Sequence, residues 1–321
     1  MMRKVLGPGS TTVVFGEALV DDFGAEQIIG GAPFNVARNL AAFMAPQLMI
    51  TRVGDDRNGS LVRGEFEHFA MSTVGLQVDA MEETGRVVVE RAPGGHRFSI
   101  LPNQAYDYIE SAAALSAMSA SDVGIVYFGT LAQRSERSRT ALFDVLEAAG
   151  SNGTTGAIRY LDLNLRGNQV DERCVFHSLQ AADIVKVNEE ELQALFAWYF
   201  QIQPTDPALT ADEVRASCRA LLQMFSLDAL IVTLGHRGSV YFSRDDEEPI
   251  VHRDNPAPPF VIDTVGAGDA FSAIFLLGSM RGWPLATTLA RANEFAGAIC
   301  AIPGAIPADM GFYDKWMTRW R

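Results

Sequence analysis

The sequence predicts an α/β fold: a three-layer α/β/α sandwich with a mostly parallel sheet, accompanied by a small second β-sheet. Two observations lead to this prediction. Short apolar runs alternate with segments of helical periodicity along the 321 residues, which is typical of a parallel sheet covered by helices on both faces. Two further segments are extended and interrupt the alternation, which indicates strands outside the main sheet.

Six apolar runs have the properties of buried strands, because they are short, almost continuously apolar and bounded by turn or charged residues. They are Thr12–Phe15, Leu48–Val53, Gly124–Phe128, Ala157–Leu163, Ala182–Val187 and Leu230–Leu234. Helices are predicted between several of them. One covers Ser135–Ala149, and another follows Thr210, where Thr210 and Glu213 have the spacing of a capping box.

The two extended segments are Gly16–Ile29 and Thr84–Leu101. The second one alternates apolar and polar residues on both sides of a Pro-Gly-Gly turn, which is the pattern of a β-hairpin. Segments that are far apart in sequence can still pair as one small sheet. That sheet would be either a lid over the end of the main sheet or an ordinary edge hairpin, and the pattern alone fits both.

Composition and charge argue against several classes of protein. A net charge of −13 disfavours a surface for nucleic acid or for an anionic membrane. The three cysteines are far apart and the five histidines lack zinc-binding spacing, so we expect neither disulfides nor a structural metal. No secretory signal opens the sequence, and its longest apolar stretch, Ala270–Met280, is too short to cross a bilayer. We therefore expect a cytoplasmic protein.

The clearest chemical signal is a glycine turn before a helix. An apolar strand end at Phe260–Ile262 is predicted to lead into a tight turn at Gly266, Ala267 and Gly268, after which Asp269 opens a helix. Such a turn binds anions, because free N–H groups and the positive end of the helix dipole face the ligand. Asp269 would lie beside a bound phosphate and accept a proton from an attacking hydroxyl. The alternative is that Asp269 only caps the helix.

A second motif, Gly30-Gly-Ala-Pro-Phe-Asn35, predicts a place for a sugar. The glycine pair, including Gly31, lets a ligand lie against the backbone. Asn35 offers both a donor and an acceptor, as a sugar hydroxyl requires. The alternative is an asparagine that merely occupies the first turn of a helix begun by Pro33.

These motifs resemble those of a known family. The string Asp263-Thr-Val-Gly-Ala-Gly-Asp-Ala-Phe271 resembles the C-terminal signature of the ribokinase/PfkB carbohydrate kinases, and Gly30–Ala37 resembles their N-terminal signature. Matching signals occur in family order from Thr12 to Ala305. The resemblance implies a ribokinase-like fold with a β-lid, and transfer of phosphate from ATP to a sugar. It implies that Asp269 is the base and that Gly266, Ala267 and Gly268 form the anion hole.

The resemblance also divides the chain and favours the lid over the edge hairpin. The core comprises residues 1–16, 32–78 and 106–321, and the discontinuous lid comprises residues 17–31 and 79–105. A lid strand can pair with the lid of a second copy, so a homodimer is plausible.

Further roles follow from the resemblance alone. Asp21 would bind sugar hydroxyls, with a solvated loop carboxylate as the alternative. Arg166, in the string Asp162-Leu-Asn-Leu-Arg166, would neutralise the γ-phosphate, with an ordinary surface arginine as the alternative. Glu191, three residues after Asn188, would hold Mg²⁺ through water, although Asn188 and Glu191 also suit a helix start. The residues expected on the nucleotide side are Asn188, Thr233, Gly235, Gly238 and Asn293.

The substrate is the finest prediction. Gly85-Arg86-Val87, Ile100–Tyr106 and Thr130–Gln133 resemble bacterial fructokinases, which adds Arg86 and Tyr106 to the substrate residues. The expected reaction converts D-fructose to fructose 6-phosphate at a primary hydroxyl. Open alternatives are a 2-keto-3-deoxygluconate kinase, another sugar or nucleoside kinase, or a non-catalytic sugar- or nucleotide-binding protein, which would have no need of the base.

A monovalent-cation site near Asp263 is a feature of the family. Here Ile302 and Pro303 precede Gly304, where basic or polar residues are usual. The departure puts dependence on K⁺ in doubt.

Overall fold

The computed structural model describes residue 6 and residues 9–24, 26–92, 95–151, 156–202, 211–253 and 260–320. Its strands are β1 Thr11–Phe15, β2 Leu19–Asp22, β3 Gln27–Gly30, β4 Gln47–Gly54, β5 Leu76–Asp79, β6 Gly85–Ala92, β7 Gly95–Ile100, β8 Val123–Phe128, β9 Ile158–Asp162, β10 Ile184–Asn188, β11 Ala229–Thr233, β12 Ser239–Ser243 and β13 Ile250–His252. Its α-helices are α1 Ala32–Ala42, α2 Arg57–His68, α3 Ser111–Met118, α4 Glu136–Ser151, α5 Glu172–Ala181, α6 Glu189–Phe200, α7 Ala211–Met224, α8 Ala267–Met280, α9 Leu285–Ile299 and α10 Gly311–Arg319.

The main sheet has nine strands in the order β13-β12-β11-β10-β9-β8-β1-β4-β5. The strands from β11 to β5 are all parallel, and β12 and β13 extend one edge by antiparallel pairing. The six predicted strands are confirmed, each within two residues of its predicted ends, as is the helix predicted over Ser135–Ala149. The capping box at Thr210 and the Pro-Gly step of the hairpin turn lie outside the described residues.

Two hydrophobic clusters cover the two faces of the sheet. On β1, Val13 and Phe15 belong to one cluster and Val14 belongs to the other, as the alternation of side chains along a strand requires. Leu142 of α4 packs in the first cluster and Phe275 of α8 in the second. The three-layer α/β/α prediction is therefore confirmed.

The second sheet has four strands in the order β3-β2-β6-β7. It joins the two extended segments of the sequence, because β2 pairs in parallel with β6 and places Asp21 opposite Val87. At its entry, Asp56 accepts hydrogen bonds from the backbone N–H of Thr84 at 2.8 Å and from the Thr84 hydroxyl at 2.8 Å. The predicted accessory sheet is confirmed, and the division of the chain into core and lid stays a prediction.

One predicted strand is wrong. Residues 260–262 form no strand, and the N–H groups of Ile262 and Asp263 both donate to the carbonyl of Cys300, at 2.8 and 3.3 Å. Because the end of α9 takes these donors, the segment joins no sheet, and Phe260 is 78% exposed. The following helix also begins two residues earlier than predicted, at Ala267.

Among the described residues, none of the helices combines the length and the apolarity that crossing a bilayer needs.

Candidate active site

The candidate site lies where the parallel strands end at their carboxyl side, the usual ligand position in a doubly wound fold. Strands β1, β9 and β10 end at this edge, and the helices α1, α6 and α8 begin there. Three helix N-termini therefore meet beside the ends of three buried strands. This arrangement concentrates free N–H groups, which suits an anion.

The glycine turn is fixed by close packing. Gly266 is the N-cap of α8 with φ of +79°, a left-handed conformation that a side chain disfavours, and a Cβ there would overlap Ala305. Space at Gly268 is also restricted, because a Cβ placed there would lie 3.0 Å from the Lys186 ammonium nitrogen. Ala267, Gly268 and Asp269 form the first turn of α8, so their N–H groups have no partner within the helix. The N–H of Ala267 donates to the carbonyl of Thr264 at 3.3 Å, which leaves those of Gly268 and Asp269 to face a ligand.

Asp269 is almost fully buried, at 8% exposure. Its Oδ2 accepts a hydrogen bond of 2.7 Å from Asn35 Nδ2. Burial raises the pKa of Asp269 above its usual value, and the Asn35 hydrogen bond and the charges of Lys186 and Arg166 oppose this rise. A buried carboxylate with one oxygen held and a raised proton affinity suits a general base.

Asn35 is itself held by a buried arginine. Arg38 Nη2 donates to Asn35 Oδ1 at 2.7 Å, and Arg38 Nη1 donates to Glu65 Oε2 at 2.6 Å. Because the guanidinium has only donors, the oxygen of the amide must face Arg38 and its NH₂ group must face Asp269. The chain Glu65–Arg38–Asn35–Asp269 therefore fixes the orientation of the amide.

Beneath the glycine turn lies a buried ion pair. Lys186 Nζ is 2.9 Å from both carboxylate oxygens of Asp162, and Ser272 Oγ donates to Asp162 Oδ2 at 2.8 Å. Burial alone would lower the pKa of Lys186, but the carboxylates of Asp162 and Glu191 raise it above its usual value. The Lys186 ammonium group therefore stays charged close to the glycine turn.

The sugar residues predicted from the sequence are partly brought together. A Cβ at Gly30 would lie 2.8 Å from Asp21 Oδ2, and Gly31 has φ of +105° with its Cβ position 2.5 Å from the carbonyl oxygen of Glu17. Burial raises the pKa of Asp21 to about 6, while the positive charge of Arg166 opposes the rise. Asp21 thus lies beside Gly30, Asn35 contacts Asp269, and the charge of Arg166 acts on both Asp21 and Asp269.

The two residues added by the fructokinase resemblance behave differently. Tyr106 is fully buried, and the guanidinium of Arg134 lies 4.9 Å from the centre of its ring. Arg86 is not brought to Asp21. The register pairs Arg86 with Val20, so its side chain extends from the opposite face of the four-stranded sheet, where its Nε lies 3.0 Å from Asp22 Oδ2.

Asn188 and Glu191, which are predicted to lie on the nucleotide side, form a capping box at the start of α6. Asn188 Oδ1 accepts from Glu191 N at 2.9 Å, and Glu191 Oε2 accepts from Asn188 N at 2.9 Å. The helix-start alternative is therefore present. Glu191 Oε1 also accepts from Leu165 N at 2.8 Å, which ties α6 to the Asp162–Arg166 segment.

The other residues predicted for the nucleotide side lie in or next to the turn between β11 and β12. Thr233 Oγ1 donates to the carbonyl of Val187 at 3.3 Å. Gly235 and Gly238 have φ of +57° and +93°, and a Cβ at Gly238 would overlap the carbonyl oxygen of His252. Asn293 is buried and donates to Ser239 Oγ at 2.7 Å, so its amide supports the turn.

The candidate metal ligands are Glu191 and Asp263. In the described part of the chain, no group of three or more His, Cys, Asp or Glu side chains could hold a metal by themselves. Each oxygen of Glu191 accepts one backbone N–H, and an ionised carboxylate has about four lone-pair sites. Glu191 therefore fits a water-mediated contact to Mg²⁺. Asp263 Oδ1 accepts from Val265 N at 3.0 Å and Oδ2 from Gly304 N at 3.3 Å, which closes the loop where the monovalent site was expected.

Three buried charged residues of the site were not singled out from the sequence: Glu17, Arg38 and Lys186. Each stands in an otherwise apolar or small-residue segment that becomes buried. A charged residue inside such a segment requires a partner when it is buried. That signal was available, but it does not identify the partner.

Comparison with known proteins agrees with this geometry. The model of the pfkB family carbohydrate kinases matches residues 11–310. A fructokinase of Klebsiella pneumoniae is 29% identical over 313 residues, covering 92% of this chain and 94% of the relative.

Solved structures show the same fold. The structure of a fructokinase with bound ATP from Xylella fastidiosa has a TM-score of 0.76 at 22% identity and covers 94% of both chains. A fructokinase double mutant from Vibrio cholerae O395, in fructose, ADP and potassium ion bound form, has a TM-score of 0.73 at 22% identity and covers 96% of this chain and 98% of the other. The chain belongs to the pfkB family of carbohydrate kinases, and it is an ATP-dependent sugar kinase.

Proposed function

We propose that this kinase transfers the γ-phosphoryl group of ATP to a primary hydroxyl of D-fructose and produces fructose 6-phosphate. The observation that carries the proposal is Asp269, a buried carboxylate in the first turn of α8 that is held by Asn35 at 2.7 Å. This carboxylate belongs to the glycine turn itself, and Asn35, which holds it, follows Gly31 in the first turn of α1 and donates its backbone N–H to the Gly31 carbonyl at 2.8 Å.

In the proposed reaction, Asp269 accepts the proton of the sugar hydroxyl as the oxygen attacks the γ-phosphorus. The bond between the γ-phosphorus and the bridging oxygen breaks, and ADP leaves. The N–H groups of Gly268 and Asp269 stabilise the charge on the transferring group. Lys186 and Arg166 add positive charge at this point, and the raised pKa of Asp269 makes it a better proton acceptor.

ATP and Mg²⁺ are the expected cofactors. A bound Mg²⁺ would neutralise phosphate charge, and Glu191 is the residue that would hold it through water. Asn188, Thr233, Gly235, Gly238 and Asn293 are proposed to shape the nucleotide side. Use of K⁺ stays a prediction in doubt: the Vibrio cholerae fructokinase structure contains that ion, but the sequence after Cys300 departs from the family pattern.

Two features support fructose over other acceptors. Several fructokinases lie among the relatives, including the enzyme of Klebsiella pneumoniae. Asp21 and Asp269 also place two carboxyl groups beside the acceptor, which repel an acidic sugar. Arg166 could offset part of that repulsion, so 2-keto-3-deoxygluconate is the main competing substrate. A nucleoside is the third.

A coupled assay of ADP release against a panel of acceptors tests the proposal. The panel contains D-fructose, ribose, adenosine and 2-keto-3-deoxygluconate. We expect the highest kcat/KM with fructose, because a site built to bind hydroxyls rejects acceptors that lack them. A preference for 2-keto-3-deoxygluconate would refute fructose as the substrate but would leave the kinase activity unaffected. Absence of turnover with all four acceptors would refute D-fructose as the acceptor. Cytoplasmic location and a homodimer formed through the lid stay predictions.

A further inference from the structure

Glu17 has a buried carboxyl group for which the proposed mechanism provides no role. It follows β1 at the carboxyl edge of the sheet and is only 3% exposed. In the part of the chain that the structure describes, its Oε2 is buried and has no hydrogen-bond partner. Buried acceptors of this kind are rare in native proteins, and they mark a strained, functional or ligand-binding position.

A second buried polar atom without a partner belongs to Tyr106. Among the described residues, no group forms a hydrogen bond with the hydroxyl of this fully buried side chain. A Cβ at Gly85 would lie 2.9 Å from Leu19 Cβ, so the Tyr106 ring packs beside the chain that follows Glu17, and the charge of Glu17 acts on the Tyr106 hydroxyl. The ring is held by Gly85, where a Cβ would lie 2.7 Å from it.

The charges around Glu17 point toward the reaction centre. Arg166 stabilises the ionised form of Glu17, and Asp269 destabilises it. Arg134 is nearby but already occupied, since it donates to both oxygens of Asp107 at 2.8 and 2.7 Å. Glu17 is therefore close enough to Asp269 and Arg166 for their charges to act on it, and Arg134 already has a carboxylate partner in Asp107.

We propose that Glu17 is a substrate-binding residue whose Oε2 accepts a hydrogen bond from a hydroxyl of the sugar, with the Tyr106 hydroxyl bonded to the same ligand. The inference rests on the proposed function and extends it. With Asp21 and Asp269, Glu17 makes a third carboxyl group around the acceptor. The subsite therefore selects a neutral polyol and excludes a sugar acid.

A purely structural role is the competing explanation. The backbone N–H of Ala32, the first residue of α1, favours the ionised form of Glu17, and α1 has no side-chain cap of its own. A cap of α1 would matter for stability and would position Asn35 only indirectly. The two roles predict different results. Loss of a substrate contact weakens binding of sugars that carry one particular hydroxyl, whereas loss of a helix cap affects all sugars alike.

The experiment compares Glu17→Ala, Glu17→Gln and Tyr106→Phe with the wild type. Kd for the sugar is measured calorimetrically without nucleotide, and KM is measured for sugar and for ATP. The sugars are D-fructose and its monodeoxy analogues. Asp183→Asn is the control. Asp183 is also buried and pairs with Arg159 at 2.8 Å, but it precedes β10 and therefore lies at the amino ends of the parallel strands, on the side of the sheet away from the site.

We expect Glu17→Ala to raise Kd and KM for the sugar by about 10- to 100-fold, the usual effect of losing a hydrogen bond to a charged group. KM for ATP should change by less than about threefold. One deoxy analogue should bind the wild type and Glu17→Ala equally weakly, because it lacks the hydroxyl that Glu17 contacts. Glu17→Gln should lower the ratio of kcat/KM for fructose to kcat/KM for 2-keto-3-deoxygluconate. Asp183→Asn should leave Kd, both KM values and this ratio unchanged.

Two failures are distinguishable. If the wild type phosphorylates no sugar, the proposed function is wrong. Suppose instead that the wild type phosphorylates a sugar and that Glu17→Ala lowers Tm. If the ratio of Kd for each deoxy analogue to Kd for fructose is then the same in Glu17→Ala as in the wild type, Glu17 is a cap of α1 and the substrate-binding role is refuted.

Discussion

Asn35 Nδ2 lies 2.7 Å from Asp269 Oδ2, across 234 residues of sequence. The residue expected to bind the sugar therefore also holds the expected base. Its amide can do so only in one orientation, because Arg38 occupies its oxygen at 2.7 Å. The acceptor site and the base are thus coupled through one side chain.

This coupling predicts that Arg38 positions the base without contacting substrate. Arg38→Gln should lower kcat by about 10-fold or more, since small misplacements of catalytic groups are costly. Because the Asn35 hydrogen bond lowers the pKa of Asp269, its loss should move the acidic limb of the kcat/KM profile to higher pH. The pH profile is the measurement that separates this from a general loss of stability.

Two comparisons control the Arg38 experiment. The double variant Arg38→Gln with Glu65→Gln removes the unpaired carboxylate that the single variant leaves. Arg52→Gln removes an arginine that also pairs with two carboxylates, Asp79 at 2.8 Å and Glu110 at 3.3 Å, away from Asp269. An unshifted limb in both Arg38 variants would contradict the positioning role.

Asp269→Asn tests the base directly. We expect kcat to fall by about 10²–10⁴, the usual contribution of a positioned base, while ATP affinity and fold are retained. Asparagine keeps an oxygen that can accept from Asn35, so the packing of α8 should survive. Turnover close to the wild type with the best sugar would show that another group accepts the proton.

The Lys186–Asp162 pair predicts a separation of stability from activity. Lys186→Met should destabilise the protein by about 3–5 kcal/mol, because it leaves Asp162 buried and uncompensated. Lys186→Met with Asp162→Asn should recover most of that stability, as measured by urea unfolding. The double variant should still have a lower kcat, since the positive charge below Gly268 is missing. Recovery of both stability and kcat would reduce Lys186 to a structural role.

Glu191→Gln tests the metal. Glutamine also serves in a capping box, but its single amide oxygen can accept from Asn188 N or from Leu165 N and not from both. We therefore expect some loss of Tm, which is measured separately from the metal requirement. Losing the negative charge should raise the Mg²⁺ concentration needed for half-maximal activity by several-fold. The metal requirement is titrated at saturating ATP, with Glu189→Gln as the control on the same helix. Full activity of the wild type in excess chelator would remove the metal from the mechanism.

The sequence predicted the part of the fold that depends on local pattern. The buried parallel strands were found because both faces are covered, so their residues are continuously apolar. Strands β5, β12 and β13 were missed because they are short strands at or near the edges of the sheet. Residues 260–262 were misread because apolar residues predict a strand, whereas Cys300 takes their backbone donors.

The site was predictable to the extent that it lies in local motifs. The glycine turn and Asn35 stand in strings whose spacing alone suggests their chemistry. Arg38 and Lys186 were missed because their partners, Glu65 and Asp162, are 27 and 24 residues away. Only the folded chain shows that these charges are buried in pairs. The opposite orientation of Arg86 and Asp21 likewise depends on the register of β2 with β6.

The buried carboxyl group of Glu17 predicts a pH dependence of stability. Burial raises its pKa from the usual 4.5 to about 7. The folded state therefore holds this proton more tightly than the unfolded state does, and the free energy of unfolding falls as pH rises from 4.5 to 7. Glutamine cannot ionise, so Glu17→Gln should gain stability relative to the wild type as the pH rises through this window. Arg166 opposes the effect and Asp269 adds to it.

The measurement is Tm of both proteins at pH 5 and pH 8 without ligand. The Tm of Glu17→Gln minus that of the wild type should be more positive at pH 8. Asp21 and Asp269 also have raised pKa values, and both proteins contain them. The contribution of Asp21 cancels in the difference, whereas the coupling between Asp269 and Glu17 is part of the measured effect. Glu110→Gln controls for the loss of a carboxylate remote from Asp269. An equal difference at the two pH values would mean that Glu17 is already ionised at pH 5 in the folded protein.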